Sequence, residues 1–257
     1  MRLLFCAIFL ALIACDRSAA TADAPKSQCH LERFEGSRFT VCDPEGGQIV
    51  LIAASAKDQP LRSFAEVGRK IDPNRVAFAV NAGMFDREGR PIGLAIVEGR
   101  EVHSVNGREG GGNFHLMPNG VLQIGRNGAA NVVPTSDWKP RPDVTFATQS
   151  GPMLVIGGKL HPKLDHDGTS RLIRNGVGVR AGKALFVISE DPVSLGKFGR
   201  FFRDALQTPN ALYLDGSVSS LWDPANGRQD SITPLGPILV ALKPAASKPG
   251  RAARATP

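Results

Sequence analysis

Short apolar runs separated by turn residues dominate the middle of the chain. Turns rich in glycine and asparagine join several of these runs, as at residues 118–120 (Pro-Asn-Gly) and 157–158 (Gly-Gly). Runs of this length bounded by such turns are typical of β-strands and hairpins. The predicted strands are residues 48–54, 76–80, 93–97, 113–117, 121–124, 153–156, 176–179, 184–188, 211–214 and 237–242.

Helical periodicity is confined to two segments. Leu61, Phe64, Val67 and Ile71 recur at helical spacing, and a second apolar face lies at residues 198–206. Because hairpins dominate and helices are scattered, we expect an α+β fold, a single domain of mostly antiparallel β-sheets flanked by a few helices.

The N-terminus has the pattern of a secretory leader. Arg2 precedes an apolar run up to Ala14, which predicts a lipoprotein-type signal peptide over residues 1–14. Residues 12–15 (Leu-Ile-Ala-Cys) resemble a bacterial lipobox, in which Cys15 becomes the lipidated first residue and anchors the protein. A plain cleavable signal is the alternative. Residues 15–28 are polar and predict a tether.

Two cysteines remain for the folded part of the chain. Cys29 and Cys42 form an even pair in a chain with an export signal, which predicts a disulfide bond. The segment 31–41 between them is interpreted as two short strands that this bond would close. A metal pair or a reactive thiol is the alternative, but His or Cys partners at ligand spacing are lacking.

The net charge of the chain lies mostly outside the predicted domain. Of the formal net charge of +7, five basic residues lie in the leader and the C-terminal segment, which leaves +2 for the body. This charge does not favour nucleic-acid binding. Residues 243–257 are basic and rich in Pro and Ala, so we expect a disordered tail after a domain at residues 29–242.

Polar residues that follow buried strands are the first candidates for chemistry. The predicted strand 76–80 runs directly into Asn81, and the strand 211–214 runs into Asp215. Small residues follow each of them, and small residues let a ligand approach the backbone closely. The alternative is that Asn81 and Asp215 only form Asx turns that end their strands.

A third and a fourth segment add further candidates. Residues 149–151 (Gln-Ser-Gly) precede an apolar run, and Arg174 lies beside a run of small residues, where its planar donor fork is suited to an anion. The alternative for Arg174 is an exposed ion pair. Signatures of a nucleophile elbow, a Walker loop and a zinc-binding helix are lacking, so no cofactor is expected, and a divalent cation stays open without being indicated.

Four motifs together resemble the phosphodiester glycosidase family, which includes the lysosomal uncovering enzyme. The resemblance covers roughly residues 45–242 and is greatest to a short bacterial exported branch of the family. The motifs are residues 81–85 (Asn-Ala-Gly-Met-Phe), 149–154 (Gln-Ser-Gly-Pro-Met-Leu), 174–178 (Arg-Asn-Gly-Val-Gly) and 211–221 (Ala-Leu-Tyr-Leu-Asp-Gly-Ser-Val-Ser-Ser-Leu).

The resemblance implies hydrolysis of a sugar-1-phosphodiester, or a related envelope glycan linkage, at the anomeric C–O bond. Asp215 would act as base or nucleophile, and Arg174 would bind the phosphodiester. The partner would be a phosphoglycan or cell-envelope saccharide, in a periplasmic protein held to the membrane only by its lipid anchor. The implied substrate-binding residues are Asn81, Gly83, Phe85, Gln149, Ser150, Gly151, Asn175, Gly216, Ser217, Ser219 and Ser220.

Two other functions stay open from the sequence. One is a non-catalytic envelope lipoprotein that binds phosphorylated or peptidoglycan-type polymers through the same residues. The other is a serine hydrolase that uses Ser150 or Ser217, which requires an activating base nearby.

Overall fold

The computed structural model describes residues 26–244, and its elements are mostly short strands. In chain order the strands are β1 (Cys29–Phe34), β2 (Ser37–Cys42), β3 (Ile49–Ile52), β4 (Val76–Asn81), β5 (Ala95–Val97), β6 (Arg100–His103), β7 (Gly120–Gly125), β8 (Ala130–Pro134), β9 (Val144–Ser150), β10 (Met153–Ile156), β11 (Lys159–Leu160), β12 (Asn175–Arg180), β13 (Lys183–Ser189), β14 (Asn210–Tyr213), β15 (Leu221–Asp223), β16 (Arg228–Gln229) and β17 (Ile238–Leu242).

Helices contribute little to the fold. Residues 26–244 contain two α-helices, α1 (Phe64–Lys70) and α2 (Leu195–Arg200), and α2 continues into a π-helical turn (Phe201–Ala205). Five 3-10 turns lie at Pro73–Arg75, Asn113–His115, Thr135–Asp137, Gly216–Val218 and Pro224–Asn226.

The strands of residues 26–244 form three sheets in which all neighbouring strands are antiparallel. The seven-stranded sheet has the order β1-β2-β13-β12-β14-β10-β11, and the two five-stranded sheets have the orders β16-β15-β4-β17-β3 and β6-β5-β9-β7-β8. This confirms the predicted α+β domain of antiparallel sheets.

The central strands are buried on both faces. All six residues of β4 and all five of β17 are buried, and these two strands pair from Ile238 opposite Asn81 to Ala241 opposite Phe78. Their continuous apolar runs are those expected of strands covered on both sides. One core cluster contains residues from all three sheets, so the sheets pack around a common apolar centre.

Each α-helix begins at a serine and packs an apolar face inward. The Ser63 side chain accepts a hydrogen bond from the Glu66 N–H at the start of α1, and Ser194 accepts one from Lys197 N–H at the start of α2. The capping serine explains why the second helical segment begins at Leu195, before the predicted start at residue 198. Its aromatic face stacks Phe201 on Phe39 of β2 at 4.1 Å between ring centroids.

The predicted disulfide is confirmed. Cys29 and Cys42 are bonded, and they are also directly paired residues of the β1–β2 hairpin. The predicted leader, Cys15 and most of the tether and tail lie outside the described residues. Within residues 26–244, no helix has the length and apolar character that crossing a membrane requires.

One predicted strand is wrong. Residues 113–117 form a 3-10 turn at Asn113–His115, because the N–H groups of His115 and Leu116 bond locally to the carbonyls of Gly112 and Asn113. The apolar side chain of Phe114 is nevertheless buried, as in a strand.

Candidate active site

Two of the predicted polar residues meet where strands of different sheets end. Asn81 is the last residue of β4, and Asn175 is the first residue of β12. The Asn175 side-chain amide donates to the backbone and side-chain oxygens of Asn81 at 3.0 and 2.9 Å. Both side chains are 1% exposed, so this pair is a buried polar link between the two sheets.

The Asn81–Asn175 pair also holds the segment that carries Asp215. The Asn81 side-chain amide donates to the backbone carbonyl of Asp215 at 2.7 Å, and its oxygen accepts from Ser220 N–H at 2.9 Å. The Ser219 hydroxyl is 3.2 Å from the Asn175 side-chain oxygen. The sequence-predicted residues 81, 175, 215, 219 and 220 therefore form one hydrogen-bonded cluster.

Asp215 lies at the edge of this cluster with its carboxyl group largely buried. Its side chain is 9% exposed, and one carboxylate oxygen accepts from Ser217 N–H at 3.1 Å. Burial raises the pKa of the Asp215 carboxyl above its ordinary value, and the hydrogen bonds with Ser217 offset only part of this effect. An aspartate of this kind is suited to proton transfer closer to neutral pH.

Arg174 is buried rather than in an exposed ion pair. Its side chain is 1% exposed, and its Nε donates to the Val193 carbonyl at 2.7 Å. Its Nη2 donates to the Ser170 carbonyl at 2.9 Å, and its Nη1 donates to the Tyr213 hydroxyl at 2.9 Å. All of these acceptors are neutral, and no carboxylate of residues 26–244 lies within 4.0 Å of the guanidinium.

Tyr213 joins Arg174 to the turn that carries Asp215. A Cβ atom on Gly216 would lie 1.6 Å from the Tyr213 hydroxyl, so this phenol lies directly against the Gly216 backbone. The guanidinium carbon is 5.4 Å from the centroid of the Tyr213 ring. Burial raises the pKa of the phenol, which therefore stays protonated. The sequence pattern predicts Tyr213 only as part of the strand 211–214.

Gln149 belongs to a second group of hydrogen-bonded polar residues, separate from the Asp215 cluster, and its backbone packs against Gly83. Its side-chain oxygen accepts from the N–H groups of Leu94 and Asn106, both at 2.9 Å. Its amide nitrogen donates to the Asn106 carbonyl at 2.7 Å and to the Thr135 hydroxyl at 3.2 Å. Gln149 thus organises the loop around Asn106, and these partners could not be predicted from the sequence.

The remaining predicted residues differ in their surroundings. Ser150 is fully buried and its hydroxyl has no hydrogen-bond partner within residues 26–244. Gly151 packs against Asn119, to which a Cβ atom would come within 2.7 Å. Ser217 is exposed. Phe85 packs against Arg62, whose guanidinium is 5.3 Å from its ring, and not within the Asp215 cluster.

No metal site is apparent in this part of the chain. Residues 26–244 contain no group of three or more His, Cys, Asp or Glu side chains placed to hold an ion. His166 and Asp167 form an exposed pair, with 2.9 Å between the imidazole and the carboxylate.

Comparisons with known proteins identify a family and related folds. The family model for phosphodiester glycosidases matches residues 74–233, which span Asn81, Gln149, Arg174 and Asp215. The uncharacterized protein YigE of Escherichia coli (strain K12) is 33% identical over 149 residues. That alignment spans 58% of this chain and 58% of YigE, so it covers little more than half of the relative.

Solved structures show the same fold. The catalytic domain of zebrafish N-acetylglucosamine-1-phosphodiester alpha-N-acetylglucosaminidase, auto-inhibited by its pro-peptide, is similar with a TM-score of 0.58 and 17% identity, over 88% of this chain and 85% of that one. A hypothetical protein from Synechocystis has a TM-score of 0.51 and 16% identity, over 82% and 61% of the two chains.

Proposed function

The chain belongs to the phosphodiester glycosidase family, and we propose that it is a hydrolase that cleaves a sugar-1-phosphodiester at the anomeric C–O bond. One observation carries the proposal: a buried arginine with only neutral acceptors is joined through Tyr213 to the turn of a buried aspartate. In this proposal Arg174 binds the phosphodiester, and Asp215 acts as base or nucleophile at the anomeric carbon.

The surroundings of Arg174 support a role in anion binding. A buried charge is costly unless an opposite charge or sufficient hydrogen bonds compensate it. Within residues 26–244 the other strongly buried arginine is Arg200, and it has such a partner, because its guanidinium donates hydrogen bonds to the Glu35 carboxylate. Arg174 has only carbonyl and hydroxyl acceptors, so a phosphate group would supply the charge that Glu35 supplies to Arg200.

The surroundings of Asp215 support its role in the chemistry. Among the carboxylates of residues 26–244, only those of Asp215 and Asp223 are buried. One carboxylate oxygen of Asp223 accepts hydrogen bonds from the Ser27 hydroxyl and the Asn226 side-chain amide. A phosphate leaving group has a pKa of about 6, so it departs with less protonation than a sugar alkoxide needs. One carboxylate and a cationic group are therefore sufficient, where ordinary glycosidases use two carboxylates.

The disulfide supports an extracytoplasmic location for this reaction. Bonds such as Cys29–Cys42 form and persist in oxidising compartments, and the N-terminal sequence has the pattern of an export signal. We include a lipid anchor at Cys15 in the proposal. Its test is mass spectrometry of the N-terminal peptide, in which an unmodified Cys15 would contradict the anchor.

The reaction is tested with a panel of sugar-1-phosphate alkyl diesters in ¹⁸O-labelled water. Cleavage at the anomeric carbon leaves the phosphomonoester free of ¹⁸O, which ³¹P NMR detects. Label in the phosphate would show a phosphodiesterase instead. Binding without turnover across the panel would favour a non-catalytic envelope protein.

Variants with matched controls test the two assigned roles. Asp215→Asn is expected to lower kcat by about 10²–10⁴-fold, and Asp223→Asn, also at a buried carboxylate, to leave kcat near the wild-type value. Arg174→Lys is expected to lower kcat/KM by about 10²–10³-fold, because a lysine ammonium cannot keep the Val193, Ser170 and Tyr213 hydrogen bonds that position the charge. Arg200→Lys is expected to retain activity in the folded fraction. Activity retained by Asp215→Asn or Arg174→Lys would refute that residue's role.

A further inference from the structure

A cavity of about 600 Å³ lies between the loop before β7 and the 3-10 turn at Thr135–Asp137. This volume is within the range of small-molecule sites. One part of the wall is apolar and consists of Val105, Met117 and Pro118. The other part is polar and consists of Glu109, Asn119, Thr135 and Ser136, and the backbone of Gly107 lies beside them.

The cavity is connected to the Asp215 cluster by consecutive contacts. Asp215 N–H donates to the carbonyl of Ala82, and the next residue, Gly83, donates to the Thr148 hydroxyl. Gln149 follows Thr148, and its amide donates to the Thr135 hydroxyl in the cavity wall. These largely buried contacts fix the position of the cavity wall relative to the turn that carries Asp215.

We propose that this cavity, which we call the alcohol subsite, holds the alcohol half of the phosphodiester and selects alcohols with apolar surface and a neutral or cationic end. The inference rests on the proposed function and deepens it by naming the substrate class. A sugar ring requires many polar partners for its hydroxyls, and the wall offers few of them beside its apolar surface, so the alcohol fits better than the sugar.

The charge of the wall sets the preference. Glu109 is the one charged residue that lines the cavity, and no Lys or Arg lines it. A carboxylate attracts an ammonium group and repels a second anionic group. The Thr135 hydroxyl accepts from Gln149 and so keeps its own proton for donation, and Asn119 has a side-chain oxygen that no donor of residues 26–244 reaches. Each of these groups suits a neutral or cationic polar end.

Methionine methyl groups allow a test that does not depend on turnover. In protein labelled with [methyl-¹³C]methionine, Met117 reports on the alcohol subsite, and Met84 packs beside the aromatic cluster that contains Tyr213. Met153 is fully buried in the core and is the internal control. The full chain is titrated with propyl phosphate, 3-aminopropyl phosphate and 2-carboxyethyl phosphate, three phosphomonoesters of similar length, so that the identity of the sugar does not matter.

The expected result is a saturable shift of Met117 with the propyl and aminopropyl esters and none of Met153. The aminopropyl ester should bind about five-fold more tightly than the propyl ester, and the carboxyethyl ester about five-fold more weakly. Glu109→Gln should remove this order while the propyl ester still binds. Glu101→Gln, an exposed glutamate outside the cavity, is the matched control and should preserve the order.

Each other outcome counts against a defined part of the argument. A shift of Met84 without Met117 overturns the alcohol subsite and leaves the proposed function intact. A shift of Met117 without Met84 supports the subsite and contradicts phosphate binding at Arg174. The same order of affinities in Glu109→Gln overturns the charge preference, and no shift of either methyl group overturns both proposals.

Discussion

Tyr213→Phe removes a single oxygen atom from the centre of the candidate site. The ring is 1% exposed and packs edge-on to Phe198 at 6.4 Å, and these contacts remain in the variant. The Arg174 Nη1 loses the acceptor that lies 2.9 Å away. The change therefore tests the hydroxyl group alone, with no cavity left in the aromatic core.

The size of the effect follows from the charge of the donor. A hydrogen bond to a charged group contributes about 1.5–3 kcal/mol, and this is the expected loss in the free energy of unfolding. The phenol accepts from Arg174, and no acceptor of residues 26–244 takes its own proton, so the proton is free for a phosphate oxygen. Loss of this donor should lower kcat/KM by about 10- to 150-fold, because each 1.36 kcal/mol is a factor of ten.

A second variant separates positioning from stability. The Ser189 hydroxyl accepts from the Arg174 backbone N–H at 2.9 Å and is fully buried, so Ser189→Ala also removes a hydrogen bond to Arg174. It should lower the free energy of unfolding in urea without changing the affinity for propyl phosphate. Because Tyr213 is the one tyrosine of the chain, 3-fluorotyrosine gives a single ¹⁹F resonance that should shift on phosphate binding. Equal losses of affinity in both variants, or none in Tyr213→Phe, would refute the reasoning.

Two further predictions concern Asp215 and the disulfide. Burial raises the pKa of Asp215, so the folded state binds the carboxyl proton more tightly than the unfolded state does. The free energy of unfolding should therefore fall as the pH rises from the ordinary aspartate pKa through the raised one. Urea titrations of Asp215→Asn at the same pH values should lack this slope. Replacing both Cys29 and Cys42 by Ser should lower the free energy of unfolding by about 2–4 kcal/mol, measured in urea against the oxidised wild type, and an unchanged midpoint would contradict a stabilising role.

The sequence predicted the sheets best where strands are buried on both faces. β4 and β17 are continuous apolar runs, and such runs have few alternatives in a domain of this length. β9 was missed because Thr145, Thr148 and Gln149 interrupt its apolar pattern, although all but one of its residues are buried. Their polar groups bond to other backbone segments, which a single-strand pattern does not reveal.

The candidate site was predicted in part. Asn81, Asn175, Asp215, Ser219 and Ser220 come together as the motifs indicated, because each lies at or near a strand end. The role of Tyr213 could not be predicted, since its partner Arg174 is 39 residues away in sequence. The apolar run 211–214 predicts only that the Tyr213 side chain lies in the core. A role for its hydroxyl group can be inferred only once Arg174 is known to lie beside it.

The glycines of the motifs have a different basis from the one the sequence suggested. From the sequence alone, the small residues beside Asn81 and Asp215 indicate room for a ligand. A Cβ atom on Gly83 would instead lie 2.3 Å from the Gln149 carbonyl oxygen, and one on Gly216 would overlap the Tyr213 hydroxyl. Both glycines therefore let parts of the protein approach one another. Because these glycines have no side chain, Gln149 and Tyr213 can pack directly against the segments that carry Gly83 and Gly216. The effect of the motif glycines on a ligand is therefore indirect, through the positions of these neighbouring residues.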